Sequence, residues 1–290
     1  MLPLPESPSV TEVGNYYDTF DPHYRHIWGE HLHHGYWDAS TRSTDQAITN
    51  LLDLAAEWLQ ITRDDHILDI GCGYGASGRY LAERHKCYVL GLTVAREQFR
   101  VGKQRNQSSR VSIQHTDWME FDAPKNTLNG ILSLECLSHV SNKYGFFKKI
   151  EETLSPGSRA VITCLAATNR GKGSLQQLLI TPLCQGARFP SIAELSDLEY
   201  WGQNANLRIV HAADLTPRVS KTWLAISIRS ARAFLLNRNR SHDQLQFGRK
   251  ELQLSLNAIR LQLAYWLGAI QYRLLVLEKP KRRETSKNPS

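Results

Sequence analysis

An α/β fold on a doubly wound, mostly parallel sheet is what this sequence predicts, and three observations predict it. Short apolar runs alternate with helix-patterned segments at intervals of roughly 25 residues. The first run ends in a glycine-rich turn that opens a helix. The bulk numbers, 290 residues with 41% hydrophobic and 22% charged side chains, suit one elaborated globular domain.

The elements follow in chain order. Residues 1–14 hold three prolines and read as a flexible arm. Residues 15–37 are rich in aromatics and histidine. Residues 44–60 place Ile48, Leu51, Leu52, Ala55, Trp58 and Leu59 on one helical face, with Thr44 as the expected N-cap. His66–Ile70 is a short apolar run of the kind buried in parallel sheets. Gly71-Cys72-Gly73-Tyr74-Gly75 breaks it, and 76–85 reads as a helix. Strands follow at 87–92, 111–115, 130–134 and 159–164. Helices are expected at 95–106 and 144–154, and Ser155-Pro156-Gly157-Ser158 reads as a turn. Residues 165–190, broken by Gly171, Gly173, Pro182, Gly186 and Pro190, read as an insertion over the sheet. Residues 191–203 look helical, and 208–215 form strand six. Helices at 219–236 and 245–266 precede a seventh strand at 269–278 and a basic tail, 279–290.

Charge and histidine are both uneven. The net charge is +7, yet residues 229–290 alone hold 13 basic and 4 acidic side chains. His23, His26, His31, His33 and His34 fall within twelve positions. No stretch reaches about 18 apolar residues, so a transmembrane helix is excluded, and the first residues lack a secretory leader pattern. The 5 cysteines are scattered without a C-x-x-C pair, which argues against a zinc site or disulfide framework and for a reducing, cytoplasmic compartment.

Glycine at the end of the first strand permits close backbone approach. A ligand can lie against the turn with its polar groups on N–H donors at the helix N-terminus. The spacing departs from the dinucleotide G-x-G-x-x-G, because Gly78 comes one position late, and no Gly-Lys-Ser/Thr of a P-loop follows.

Ile67-Leu68-Asp69-Ile70-Gly71-Cys72-Gly73-Tyr74-Gly75 resembles motif I of the class I S-adenosylmethionine-dependent methyltransferases. Gly91-Leu92-Thr93-Val94-Ala95-Arg96-Glu97-Gln98 resembles a segment of the cyclopropane-synthase, sterol and tocopherol branch of that superfamily. Asp117-Trp118 and the segment Ser133-Leu134-Glu135-Cys136-Leu137-Ser138-His139-Val140 match it further. At the front, Tyr16-Tyr17-Asp18 and Leu32-His33-His34-Gly35-Tyr36-Trp37 resemble elements of tocopherol-type and natural-product enzymes. The likeness spans roughly residues 15–165 and is weaker beyond, at Asp214-Leu215-Thr216, Gln271-Tyr272 and Glu278-Lys279-Pro280.

The resemblance implies a Rossmann-like, seven-stranded sheet with an antiparallel last strand. It implies an N-terminal arm and lid (1–43), a cofactor-binding core (44–164), acceptor-side insertions and helices with strand six (165–268), a final strand (269–278) and a tail (279–290). The cofactor would be S-adenosyl-L-methionine, with S-adenosyl-L-homocysteine as product. Tyr17, Asp69, Gly71, Cys72, Gly73, Thr93, Val94, Gln98, Asp117, Trp118 and Leu134 would hold it. Asp69 and the glycine turn would take the methionine end, Thr93 and Gln98 the ribose, and Asp117 with Trp118 the adenine. His139 is placed to act as a base, its near-neutral titration suiting that role, and Glu135 to orient it or to stabilise a substrate cation.

His33, His34, Tyr36, Trp37, Trp201 and Trp223 are expected to line the acceptor site. The acceptor would be a small, partly apolar metabolite of specialised, isoprenoid or quinone metabolism. O-, N- and C-methylation all stay open, as does a lipid alkene acceptor. His31, His33 and His34 could ligate a metal by spacing, but methyl transfer requires none and no metal is expected. The basic C-terminal fifth reads either as a solvated face or as peripheral contact with an anionic membrane. No nucleic-acid module accompanies it. The sequence leaves the oligomeric state open.

Overall fold

The computed structural model describes residues 2–3, 7–236 and 243–281. Among these, nine strands form one sheet. In chain order the elements are β1 (Leu2–Pro3), α1 (Val10–Ile27), α2 (Thr44–Leu59), β2 (His66–Ile70), α3 (Ala76–His85), β3 (Tyr88–Thr93), α4 (Arg96–Arg105), β4 (Val111–His115), β5 (Leu128–Leu134), α5 (Lys143–Thr153), β6 (Leu154–Ala167), α6 (Thr181–Ala187), β7 (Ser191–Glu194), α7 (Leu195–Asn204), β8 (Arg208–Asp214), α8 (Thr216–Leu236), α9 (Asp243–Trp266) and β9 (Ile270–Glu278).

Strands β4, β3, β2, β5 and β6 pair in parallel in that order. β9 then pairs antiparallel with both β6 and β8. The chain winds from β2 to one side through β3 and β4, then returns to the other through β5 and β6. The carboxyl ends of β2 and β5 therefore flank a topological switch point, where open α/β sheets bind ligands. This is the expected α/β architecture with the last strand antiparallel. Two short strands extend it: β7 pairs in parallel with Ala166 and Ala167 at the end of β6, and β1 pairs antiparallel with β7.

Alternation along each strand splits the core between the two faces. Ile67, Leu132 and Val161 join one cluster with Leu51, Leu81 and Leu261. Leu68, Ile131 and Ile162 join the other with Phe146, Phe147 and Ile150. The carboxyl half of β6 is buried on both faces, as a central strand must be.

Several boundaries differ from the sequence reading. Residues 10–14 belong to α1, capped by Ser9, whose hydroxyl accepts from the Glu12 N–H while the Glu12 carboxylate accepts from the Ser9 N–H. Ser43, not Thr44, caps α2 through a bond from the Gln46 N–H at 3.1 Å. Ser155–Ser158 does not end an element. Gly157 takes φ +86° within β6, and the pairing with β5 shifts register there. Residues 191–194 are strand rather than helix, because Ile192 is fully buried against the sheet extension. Lys279 is no part of a free tail: its ammonium donates to Asn126 Oδ1 at 2.9 Å and pairs with Glu151. Residues 282–290 of the expected tail lie outside the described residues. No described helix is long and apolar enough to cross a membrane.

Candidate active site

The carboxyl ends of β2, β3 and β5 open into a cavity of about 210 Å³, covered by α1 on one side and by α8 and α9 on the other. Its floor is the glycine turn. Gly71, Gly73 and Gly75 all have positive φ, from 56° to 78°. A Cβ at Gly71 would lie 2.8 Å from Cys136 Sγ, whereas one at Gly73 would meet nothing within 4 Å. Gly71 is thus required for packing, and Gly73 leaves bare backbone facing the cavity.

Asp69, the fourth residue of β2, is buried, and its Oδ2 has no hydrogen-bond partner. Burial raises its carboxyl to about 7. An uncompensated carboxylate at this depth is costly unless a cation or donor joins it. At the end of β3 the Thr93 hydroxyl donates to Gln98 Oε1 at 2.9 Å. That bond orients the Gln98 amide so that its NH2 remains available as a donor. Val94 and Leu134 line the walls, and Cys72 sits against Gly91. Asp117 and Trp118 line the same wall after β4. Burial raises the Asp117 carboxyl, and Trp118 Nε1 is a buried donor without a partner.

The acceptor side is built around Glu135 and His139. Glu135 has φ +62°, a strained conformation for a residue with a Cβ. Its Oε1 accepts from the His34 N–H at 2.6 Å, from His34 Nδ1 at 2.8 Å and from the Tyr272 hydroxyl at 2.9 Å. Trp223 Nε1, a donor only, points at His34 Nε2, which also meets the Tyr265 hydroxyl at 3.1 Å. The His34 proton therefore sits on Nδ1 and is given to Glu135. Burial pushes the Glu135 carboxyl up, but the His34 contacts outweigh it and hold the group below the usual carboxylate range.

His139 lies on the short helical turn Leu137–His139 after β5. Its Nδ1 is 3.3 Å from the Arg188 carbonyl and its Nε2 is 2.8 Å from the Tyr17 hydroxyl. The carbonyl can only accept, so Nδ1 carries the proton and Nε2 accepts from Tyr17. Burial lowers His139 to about 4, well below the near-neutral value expected for it, so the ring is neutral at physiological pH.

His33, His34 and Trp223 do line the cavity. Tyr36, Trp37 and Trp201 do not. Tyr36 lies under the Arg218 guanidinium, Trp37 Nε1 donates to Thr222 Oγ1 at 3.0 Å, and Trp201 packs on Phe147 on the far side of the sheet. Tyr265 and Tyr272, fixed to the Glu135–His34 pair, went unassigned from sequence; the weak Gln271-Tyr272 match was the only signal for either. Among the described residues, no cluster of three His, Cys, Asp or Glu is arranged to hold a metal ion.

The family model of mycolic acid cyclopropane synthetase matches residues 5–229. This chain belongs to that family. Among curated relatives of this cyclopropane-synthetase family member is the 27-O-demethylrifamycin SV methyltransferase of Amycolatopsis mediterranei. It is 31% identical over 53% of the chain, a match spanning 58% of that enzyme's length. The chloroplastic tocopherol O-methyltransferase of Arabidopsis thaliana is 23% identical over 92% of the chain and 82% of its own length. The structure of the cyclopropane synthase MmaA2 from Mycobacterium tuberculosis superimposes with a TM-score of 0.81 at 16% identity. That match covers 95% of this chain and 100% of that one, and it shows a shared fold.

The residues fit S-adenosylmethionine, the group the sequence resemblance implies. The orphaned Asp69 oxygen and the bare Gly73 backbone suit an amino-acid end. The Gln98 amide suits a diol, and the Asp117 carboxyl beside Trp118 suits an aromatic amine.

Proposed function

We propose that the chain transfers a methyl group from S-adenosylmethionine to a small, largely apolar acceptor bearing a hydroxyl group. The observation that carries this reading is the buried Asp69 carboxyl with its unpartnered oxygen, facing a glycine turn inside the cavity. The cofactor's ammonium answers that charge, and its sulfonium supplies an already activated methyl group. The chain's own work is then to position, to exclude water and to move one proton.

Asp69 and the Gly71–Gly73 backbone hold the methionine end, Gln98 the ribose, and Asp117 with Trp118 the adenine. Tyr17, carried by α1, lines the cavity. A hydroxyl acceptor must lose its proton as its oxygen attacks. The Tyr17 oxygen can take that proton while passing its own to the unprotonated Nε2 of His139, 2.8 Å away. His33, His34, Trp223 and Leu261 form the acceptor side. The names of the relatives support an acceptor from specialised or isoprenoid metabolism, and five free thiols support a reducing, cytoplasmic setting.

Glu135 favours a second reading, a lipid alkene acceptor. Methylation of an alkene leaves a carbocation, which an ionised carboxylate at the cavity wall would stabilise. One experiment separates the two. The protein is incubated with methyl-labelled S-adenosylmethionine and either lipophilic phenols and alcohols or unsaturated lipids, and products are read by mass for one added CH2. Label in a methyl ether supports the first reading, and label in a cyclopropane or a branched chain overturns it.

A further inference from the structure

Helix α9 has two apolar faces. Leu254, Ala258 and Leu261 line the cavity together with Asn257. On the opposite side Leu252, Leu256, Ile259, Leu263, Trp266 and Leu267 are all exposed, from 37% for Leu263 to 71% for Trp266. At about 100° per residue these six fall within a single arc roughly 100° wide, centred opposite the cavity face. Helix α8 repeats the pattern: Trp223 and Ile226 line the cavity, while Leu224 and Ile228 are exposed on the other side. A soluble surface seldom leaves such a continuous apolar stripe uncovered without a use.

We propose that this outer face of α8 and α9 docks on an anionic lipid bilayer, from which the acceptor enters the cavity. The membrane is identified by charge as well as by apolarity. Residues 229–250, from the end of α8 into α9, carry six basic side chains and one acidic. On α8 Lys221 is exposed one turn from Leu224. Leu, Ile and Trp exposed on one side of α8 and α9, with Lys221 and Arg229 exposed on α8, is the composition of a helix lying in the headgroup region. Trp266 at the end of α9 suits the boundary between acyl chains and headgroups. A second copy of the chain is a poorer occupant, since a twofold interface through α8 would bring the exposed Lys221 and Arg229 of both copies together. Because α9 separates the stripe from the cavity by its own width, the docked helix would place the acceptor site next to the lipid. The source of the acceptor rests on the methyltransferase reading; the docking itself does not.

The test is sedimentation of the full chain with two kinds of vesicle, phosphatidylcholine alone and phosphatidylcholine mixed with phosphatidylglycerol. The expected result is binding to the mixed vesicles that weakens with salt, and little binding to phosphatidylcholine alone. The triple variant L252Q/L256Q/L263Q should lose about tenfold or more in partitioning, while its thermal shift with S-adenosylmethionine stays unchanged. L224Q/I228Q should reproduce the loss should the triple variant fail to fold. No binding to anionic vesicles at low salt overturns the proposal, as does binding that both variants leave intact. Light scattering that shows a wild-type dimer and a monomeric variant would assign the stripe to a second copy instead. A chain that binds vesicles but shows no thermal shift with S-adenosylmethionine would keep the docking and sink the methyltransferase reading.

Discussion

At the scale of single residues, Asp69 couples binding to pH. Its carboxyl, raised by burial to about 7, holds its proton between the ordinary carboxyl value of 3.8 and that point while the unfolded chain has already released it. Its contribution to stability is therefore present at low pH and declines as pH rises through about 7. A cofactor ammonium beside it favours the ionised form, so binding should release a proton. Affinity for S-adenosylmethionine is then expected to rise with pH up to about 7 and flatten above. Asp69→Asn should weaken binding and abolish the slope, as followed by tryptophan fluorescence titration; the same slope in the variant would remove Asp69 from this role. His139 behaves oppositely. Held at about 4, it stays neutral far into the acid range. Tyr17→Phe and His139→Ala should each lower turnover by about a hundredfold or more with cofactor affinity nearly unchanged. Equal rates in variant and parent would return the pair to simple packing. The placement of Asp69 and His139 at the cavity was readable from local motifs because each sits next to its strand end. The partners of Glu135 were harder to read: His34 lies 101 residues away and Tyr272 137. Tyr36 and Trp37 show the reverse error, since an aromatic within a motif serves the packing of its own segment as readily as the cavity, and Trp201, expected in the acceptor roof, packs on Phe147 instead.

At the scale of elements, α1 decides whether the cavity is closed. Gly14 lies so close to β3's end that a Cβ would come within 2.5 Å of the Val94 carbonyl oxygen. Asp18 Oδ1 accepts from the Glu97 N–H at the start of α4 at 2.9 Å, and Asp21 Oδ1 from the Tyr74 hydroxyl at 2.7 Å. Beyond the helix, Glu30 is bound by both Arg79 and Arg105. Replacing Gly14 by Val should lift α1 and destabilise the fold by about 1–3 kcal/mol. It should also weaken cofactor binding, because Tyr17 rides on the same helix. Denaturant titration with and without S-adenosylmethionine reads both effects; a variant with unaltered affinity would mean that α1 does not cover the site. Strands β2, β3 and β5 were legible to within one or two residues because their residues are largely apolar and buried, whereas β6 runs five residues earlier and three later than its apolar run suggested. The misread segments were those whose state depends on distant partners. Residues 191–194 become strand only where β6 outruns β5, and Gly157 bends a strand that continues through it.

At the scale of the whole molecule, winding to both sides of β2 brings four separate motifs to one end of the sheet. Strand order therefore turns a linear series of short motifs into one cavity. Charge is partitioned along the sequence as well, with residues 229–290 holding 13 basic and 4 acidic side chains. The alternation of elements predicted the parallel, doubly wound sheet, the antiparallel last strand followed from the family resemblance, and the family model matches residues 5–229. Each of these roles depends on the cavity being an S-adenosylmethionine site. Isothermal calorimetry of the full chain with S-adenosylmethionine tests it most directly. Saturable heat at one cofactor per chain, weakened by Asp117→Ala, is the expected result. No saturable heat at any pH between about 6 and 8, where Asp69 passes from protonated to ionised, would contradict it.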